Sequence, residues 1–216
     1  MKKFAIVLSG CGVYDGAEIQ EATMAMLAVC KKGNSYQLFA PDMLQYHVIN
    51  HLTGEEMPEE RNVLVEAARI ARGNIRNLAE FDPAQYDALL FVGGFGAAKN
   101  LSDFAFKGED YKVTDIVRKV ITETHAARKP IGAMCVSPVL IADVLKDVEL
   151  TVGSPCTASD AAEKHGAKHQ VTTHAEVVID KKHQVATTPC YMLDANIAQI
   201  YDGANNLIDG LLMLME

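Results

Sequence analysis

The sequence contains no tryptophan, and none of its apolar runs approaches the ~20 residues that a membrane-spanning helix needs. The N-terminal apolar stretch, Phe4 to Leu8, is too short for the core of a signal peptide. Basic residues are few, 20 Lys and Arg against 28 Asp and Glu, which leaves a net charge of -8. A negative surface repels nucleic acids and anionic membranes, so neither is expected as a partner. We predict a cytoplasmic protein.

The chain also lacks the signs of a disulfide framework. Its five cysteines are an odd number, and no two of them are spaced Cys-x-x-Cys. A chain of 216 residues is long enough to form a core without disulfide bonds. It shows no internal repeat, low-complexity tract or long linker, so we expect a single domain over residues 1–216.

Short apolar strands alternate with amphipathic helices along the chain. Strands are predicted over 3–9, 36–40, 88–92 and 131–134, with shorter β-like pieces over 149–152, 176–179 and 184–188. Helices are predicted over 17–32, 62–71, 115–127, 137–145, 159–165, 194–200 and 206–215, the last two separated by a break around Gly203. This alternation predicts an open α/β sheet, mostly parallel, with helices on both faces. Functional residues in such folds gather at the carboxyl ends of the strands.

Cys135 is the strongest candidate for a catalytic residue. It stands where strand 131–134 turns directly into helix 137–145, the arrangement of a nucleophile elbow, although the flanking residues differ from Gly-x-Ser-x-Gly. The N-terminus of the following helix carries a partial positive charge, which favours the thiolate, the nucleophilic form. This position predicts a functional thiol rather than an inert core cysteine.

Acidic residues at the start of the first helix are candidates for an acid/base group. Glu18 follows the loop that closes the first strand, near the sheet edge where Cys135 is expected. A carboxyl group there can hydrogen-bond the thiolate or move protons. The alternative is a solvated carboxylate stabilised by the helix dipole. Asp15 and Glu21 are weaker candidates, and Glu21 is expected to face solvent.

The loop Gly93–Asn100 follows a buried strand and begins with two glycines. It lacks the Gly-x-Gly-x-x-Gly spacing, and no Gly-Lys-Ser/Thr follows, so neither a dinucleotide site nor a P-loop is predicted. A Gly-Gly turn lets backbone N–H groups approach a ligand closely. It therefore suits an oxyanion hole formed by the N–H groups of Gly94 and Val136, or simply a tight turn with positive φ.

Three further residues are candidates for the pocket around the thiol. Cys11 follows the first strand and could also act as a resolving thiol under oxidation. His51 lies in the irregular segment 42–58 after the second strand, and Asn100 ends the Gly-rich loop. All three follow strands that end at the expected active edge.

The remaining histidines give weaker signals. His174-Ala-Glu has the His-x-Glu spacing of the glutamine amidotransferase triad, but it comes too soon after Cys135 and enters a strand. The spacing of His165, His169 and His174 matches no standard zinc pattern, so no metal site is predicted.

Several runs of the chain resemble the ElbB-type glyoxalase-like proteins of the PfpI/ThiJ superfamily, which has a class I glutamine-amidotransferase-like fold. They are residues 9–19, 48–55, 61–70, 93–100 and 187–192, and the resemblance spans essentially the whole chain. It implies a flavodoxin-like α/β sandwich, often dimeric, with Cys135 as nucleophile, Glu18 as its acidic partner and Gly94 and Val136 as oxyanion donors. Proteins of this type have been associated with isoprenoid biosynthesis and have mitochondrial counterparts in animals.

The resemblance further implies a modest, cofactor-free activity that converts glyoxal to glycolate, which has also been interpreted as protein deglycation. Many superfamily members have a histidine about one strand after the nucleophile, but here Glu149 to Ser154 contains none, as in the ElbB-type proteins. A slow dyad of Cys135 and Glu18 acting on a small aldehyde is therefore expected, in a homodimer. The alternative is a non-catalytic redox or stress-response protein in which Cys135 is a sensor; a peptidase would need a histidine beside the thiol.

Overall fold

Apolar runs form the strands of the protein, and amphipathic segments form its helices. The computed structural model describes residues 1–216. The strands are β1 (Lys3–Val7), β2 (Ser35–Ala40), β3 (Ile75–Asn77), β4 (Ala88–Phe91), β5 (Ile131–Met134), β6 (Glu149–Leu150), β7 (Lys168–His169), β8 (Val178–Asp180) and β9 (Val185–Thr188). The helices are α1 (Ile19–Lys31), α2 (Val63–Ile70), α3 (Phe95–Lys99), α4 (Phe104–Lys107), α5 (Asp115–Ala126), α6 (Pro138–Val144), α7 (Thr157–Lys164) and α8 (Ile197–Leu214).

Seven of the strands form one central sheet in the order β3-β2-β1-β4-β5-β9-β8. Every neighbouring pair is parallel except β8 and β9, which are antiparallel. β6 and β7 form a separate two-stranded sheet. The order β1-β4-β5-β9 brings the carboxyl ends of four strands side by side at one edge, where ligands bind in open α/β sheets.

Helices cover both faces of the central sheet, because side chains alternate between the faces along each strand. On β1, Ala5 and Val7 pack in an apolar cluster with α5, α6 and α7. Phe4 and Ile6 point the other way and pack with α1, α2 and α8. The predicted flavodoxin-like α/β sandwich with a mostly parallel sheet is thus confirmed.

Several details of the predicted secondary structure are wrong. The expected break at Gly203 is absent, because α8 runs without interruption from Ile197 to Leu214 and Gly203 is buried within it. Gly203 packs near Cys190, whose sulfur would be 3.4 Å from an added Cβ. Strands β3 and β7 and the short helices α3 and α4 were not predicted, and α3 occupies most of the stretch 93–100 that was expected to be a loop. No helix is both long and apolar enough to cross a membrane.

Candidate active site

Cys135 occupies a strained turn at the end of β5. Its φ is +61°, a region that residues with a side chain rarely adopt. The turn is held by hydrogen bonds on both sides: the Cys135 N–H donates to the Thr188 carbonyl at 3.1 Å, and the Ser137 hydroxyl donates to the Val92 carbonyl at 2.7 Å. Helix α6 begins three residues later at Pro138. The structure therefore has the strand-turn-helix geometry of a nucleophile elbow.

Two backbone N–H groups face the sulfur of Cys135. They belong to Gly94, the N-cap of α3 in the loop after β4, and to Val136, the residue after the thiol. Neither donates to another backbone carbonyl. Gly94 has a φ of +98°, which orients its peptide and favours glycine at this position. The structure thus brings together the three groups that the sequence predicted for a nucleophile and its oxyanion donors.

The carboxyl group beside the thiol belongs to Glu21, in the first turn of α1. Glu21 is fully buried, so the expectation that it faces solvent is wrong. Its Oε1 accepts a hydrogen bond from the Tyr191 N–H at 3.1 Å. Its Oε2 has no hydrogen-bond partner and lies beside the Cys135 side chain against Gly93. Because the first turn of α1 packs over the carboxyl ends of the central strands, the inner face of the helix meets the nucleophile rather than water.

Glu18, the predicted acidic partner, lies one helical turn earlier and caps the N-terminus of α1. It is the N-cap of α1, and its carboxylate accepts a hydrogen bond from the Glu21 N–H at 2.6 Å. Its own N–H donates to the Gly93 carbonyl at 2.9 Å. The structure assigns the contact with the thiol to Glu21 and gives Glu18 a position from which it holds the start of the helix. A direct catalytic role for Glu18 stays a prediction.

Burial controls the ionisation of the thiol and the carboxyl group. Loss of solvation raises the pKa of Glu21 to about 8, and the negative charge of Glu18 adds to the rise. Burial also raises the pKa of the Cys135 thiol, and so does the adjacent Glu21 carboxylate, against the stabilising N–H groups of Gly94 and Val136. Two anions side by side in a buried site are unfavourable, so the pair titrates as a coupled unit.

Gly93 leaves the space in which this pair meets. A Cβ at this position would come within 2.2 Å of the Cys135 Cβ and 2.4 Å of Oε2 of Glu21. Both distances are far below van der Waals contact. The thiol and the carboxyl group therefore both pack directly against the backbone of Gly93, and any side chain there would push them apart.

A cavity of about 230 Å³ opens onto the thiol. Its walls come from the loops after β1, β4 and β5, from helices α3, α4 and α7, and from the segment after β9. They are lined by Val13, Gly94, Phe95, Ala98, Phe104, Ala105, Cys135, Val136, Thr157, Ala158, Tyr191 and Met192. No charged side chain and no histidine belongs to this lining. Such a site has room for a small organic molecule next to the sulfur.

The three other predicted pocket residues do not line this cavity. Asn100 is buried and donates to the carbonyls of Ser9 and Asp15, at 3.0 and 2.9 Å, so it braces the loop after β1. His51 stacks on an aromatic ring of the same loop and accepts from its backbone. Cys11 is half-buried, and the charged groups that act on it belong mainly to α2. These residues shape the loop that borders the site without reaching the thiol.

Sequence reasoning gave little weight to the segment after β9. Tyr191 lines the cavity and binds Glu21 through its backbone, and Cys190 is buried nearby with a φ of +42°. Strand β9 pairs with β5, so residues after Thr188 necessarily come close to Cys135. The position of this segment next to the thiol follows from the pairing of β9 with β5, which a single sequence does not reveal.

Sequence and structure comparisons identify the relatives of this chain. No family model matches it. It is 46% identical to the mitochondrial ES1 protein homolog of Rattus norvegicus over 98% of this chain and 84% of the rat protein. It is also 46% identical to the human mitochondrial glutamine amidotransferase-like class 1 domain-containing protein 3, over 98% of this chain and 83% of the human protein. The chain belongs to this ES1 family of glutamine amidotransferase-like class 1 domain proteins.

Solved structures support the same assignment. An isoprenoid biosynthesis protein with an amidotransferase-like domain from Ehrlichia chaffeensis aligns over the full length of both chains, with a TM-score of 0.93 and 31% identity. Glyoxalase III of Candida albicans has a TM-score of 0.64 at 16% identity over 97% of both chains, which shows a shared fold alone. The ES1 family chain thus has the fold of the ThiJ/PfpI and DJ-1 superfamily. The predicted homodimer and cytoplasmic location stay predictions, and the animal relatives are named mitochondrial.

Proposed function

We propose that this ES1 family protein is an ElbB-type, glyoxalase-like enzyme that converts small 2-oxoaldehydes such as glyoxal to 2-hydroxy acids without a cofactor, and that it works in the cytoplasm. The observation that carries the proposal is the buried pair of Cys135 and Glu21, in which Cys135 lines a small cavity and Glu21 lies behind it against Gly93. A thiol nucleophile, a carboxyl group that changes its protonation near neutral pH and two free N–H donors supply the groups that this reaction requires.

The reaction begins when the Cys135 thiol passes its proton to the Glu21 carboxylate and the sulfur adds to the aldehyde carbon. A C–S bond forms, the C=O π bond breaks, and the resulting oxyanion accepts hydrogen bonds from the Gly94 and Val136 N–H groups until it takes a proton from Glu21. This step gives a hemithioacetal. The free N–H groups suit the oxyanion because they need no reorganisation to meet the new charge.

An internal redox step follows. The Glu21 carboxylate removes the proton from the former aldehyde carbon, which gives an enediol, and returns it to the neighbouring carbon. The hydroxyl proton of the first carbon moves to the oxygen of the second, so the first carbon is oxidised to a thioester carbonyl and the second is reduced to an alcohol. The product is a thioester of a 2-hydroxy acid. Water then attacks the thioester, releases the acid and restores the thiol, so that one 2-oxoaldehyde and one water give one 2-hydroxy acid.

Replacement of Cys135 tests the proposal. We expect Cys135→Ser and Cys135→Ala to abolish the conversion of glyoxal to glycolate, while circular dichroism and the melting temperature show that the fold is kept. Cys30→Ser is a matched control, because Cys30 is exposed and lies on the outer side of α1. Full activity in either Cys135 variant would exclude the proposed chemistry.

Three other functions compete for the same thiol. A redox sensor would show little turnover together with rapid, selective sulfenic acid formation at Cys135. A deglycase would release hydroxy acid from glycated peptides faster than from free dicarbonyls; against it, Cys135 is only 7% exposed, which favours a small substrate over a protein side chain. A peptidase needs a histidine next to the thiol, and none lines the cavity.

A further inference from the structure

The chemistry of the cavity walls differs from what glyoxal needs. Glyoxal is small and polar, and it makes hydrogen bonds with both oxygens. The walls away from the thiol are apolar and include Val13, Phe95, Ala98, Phe104 and Met192. The hydroxyl group of Tyr191 is already used, because it donates to Gln20. Only Thr157, at the start of α7, adds a free polar side chain to the lining.

The cavity also has a larger volume than glyoxal would fill. An apolar protein cavity of about 150 Å³ holds a benzene molecule, and this one measures about 230 Å³. A dicarbonyl group at the sulfur would therefore leave space for several more carbon atoms against the apolar walls. With glyoxal bound, that space would hold water with few hydrogen-bonding partners.

We propose that the physiological substrate class is a 2-oxoaldehyde or related aldehyde with an alkyl or aryl group of about four to six carbons, seated in the apolar part of the cavity. This inference rests on the proposed function and specifies which substrates the enzyme prefers. The reactive carbonyl meets Cys135 and the N–H groups of Gly94 and Val136, and the carbon chain extends toward Phe104 and Met192. Neither a cationic nor an anionic side chain lines the cavity, so the chain end is uncharged.

A series of alkyl 2-oxoaldehydes tests this specificity. The reacting group stays the same from methylglyoxal through propylglyoxal to butylglyoxal, so differences in kcat/KM report contacts with the alkyl chain. We expect kcat/KM to rise about four- to tenfold for each added carbon until the cavity is full. A flat or falling series would overturn the inference and leave the proposed function intact, provided that turnover still depends on Cys135.

Two variants of the lining sharpen the test. Ala105 lies at the exposed end of the lining, so Ala105→Phe fills the cavity without entering the core. It should lower the ratio of kcat/KM for butylglyoxal to that for methylglyoxal at least tenfold. Thr157→Asp adds a charge to the lining at a helix N-terminus, where acidic residues are tolerated, and should lower the same ratio. Ala127→Phe, at an exposed position outside the cavity, is the matched control and should leave the ratio unchanged.

A binding measurement separates the two proposals if no dicarbonyl is turned over. In that outcome the proposed function fails, and the apolar site is judged with acetophenone and acetone as probes, titrated into Cys135→Ser and followed by ligand-observed NMR. Binding of acetophenone at least tenfold tighter than that of acetone, weakened by Ala105→Phe, would support an apolar ligand. Equal affinity for the two ketones would overturn the inference.

Discussion

The thiol of Cys135 and the carboxyl group of Glu21 are the reacting groups of the proposed mechanism. Burial raises the pKa of both groups, which means that each would give up its proton less readily than in water. When Glu21 is protonated, it removes a negative charge from beside the sulfur and can donate a hydrogen bond to the thiolate. Protonated Glu21 therefore favours the thiolate of Cys135, whereas ionised Glu21 disfavours it.

Replacing the two glutamates of this helix one at a time separates their roles. Glu21→Gln keeps the size of the side chain but cannot exchange a proton, so we expect kcat to fall about 10²- to 10⁴-fold. Glu18→Gln should cost less than about tenfold, because Glu18 binds the backbone of α1 rather than the thiol. The pH dependence of kcat/KM is the second measurement. Removing the charge of Glu18 should move the ionisation of Glu21 to lower pH.

A large loss of kcat in Glu21→Gln and a small loss in Glu18→Gln would support the assignment of the proton transfer to Glu21. Equal losses in Glu18→Gln and Glu21→Gln would contradict the assignment of the proton transfer to Glu21. So would an unchanged pH profile in Glu21→Gln, since the carboxyl group with a pKa of about 8 would then play no part in the reaction.

The space at Gly93 makes a separate prediction about a single residue. In Gly93→Ala the new methyl group would lie 2.2 Å from the Cys135 Cβ, and the backbone of neither strand can move away cheaply. We expect a loss of about 1–3 kcal/mol in the free energy of unfolding, typical of an overpacked core, together with a loss of activity. Urea unfolding and kcat/KM on the same samples check both. Wild-type activity in this variant would show that the thiol and Glu21 need not meet at Gly93.

At the level of secondary structure, a glycine in α8 gives the control for Gly93→Ala, because alanine at Gly203 should raise the free energy of unfolding rather than lower it. Glycine inside a helix costs about 0.5–1 kcal/mol relative to alanine. The Cβ of Gly203→Ala would have the Cys190 sulfur as its nearest neighbour at 3.4 Å, an ordinary contact. We therefore expect this variant to unfold at higher urea concentration, with a gain of about 0.5–1 kcal/mol. A loss of stability instead would mean that α8 needs the close approach to Cys190.

The same elements show how far a sequence alone reaches. Strands β4 and β5 were placed to within one residue, because strands buried on both faces leave continuous apolar runs. The turn at Cys135 followed from their direct connection to a helix. The short edge strand β3 carries no such run, since its three residues are only half-buried. The continuity of α8 depends on packing against α1, which outweighs the local preference of Gly203.

Sequence periodicity could not identify Glu21 as the carboxyl group beside the thiol. Helical periodicity separates an apolar face from a polar one, and it assigns a glutamate to the polar face by default. Glu21 is the exception, because its buried face is built by residues from distant parts of the chain: Gly93, Cys135 and Tyr191. Such a site appears only when the strand order β1-β4-β5-β9 is known.

For the molecule as a whole, Glu21 makes the free energy of unfolding depend on pH. Its pKa is about 8 in the folded protein against a usual 4.5. Between these values the folded state holds more protons than the unfolded state, so the free energy of unfolding falls as pH rises. Each pH unit in this window contributes at most about 1.4 kcal/mol, so the loss between pH 5 and pH 7.5 is about 3 kcal/mol.

Urea unfolding of wild type and Glu21→Gln at pH 5, 6, 7 and 8 measures this contribution. The difference between the two proteins should shift by about 3 kcal/mol in favour of the variant as pH rises from 5 to 8. Other titrating groups, such as His125 and His169, whose pKa values are lowered by burial, are present in both proteins and cancel in the difference. Parallel stability curves would mean that Glu21 ionises at its ordinary pKa. Curves that diverge as expected would show that Glu21 weakens the fold at neutral pH, a cost that a role in the chemistry at the thiol would explain.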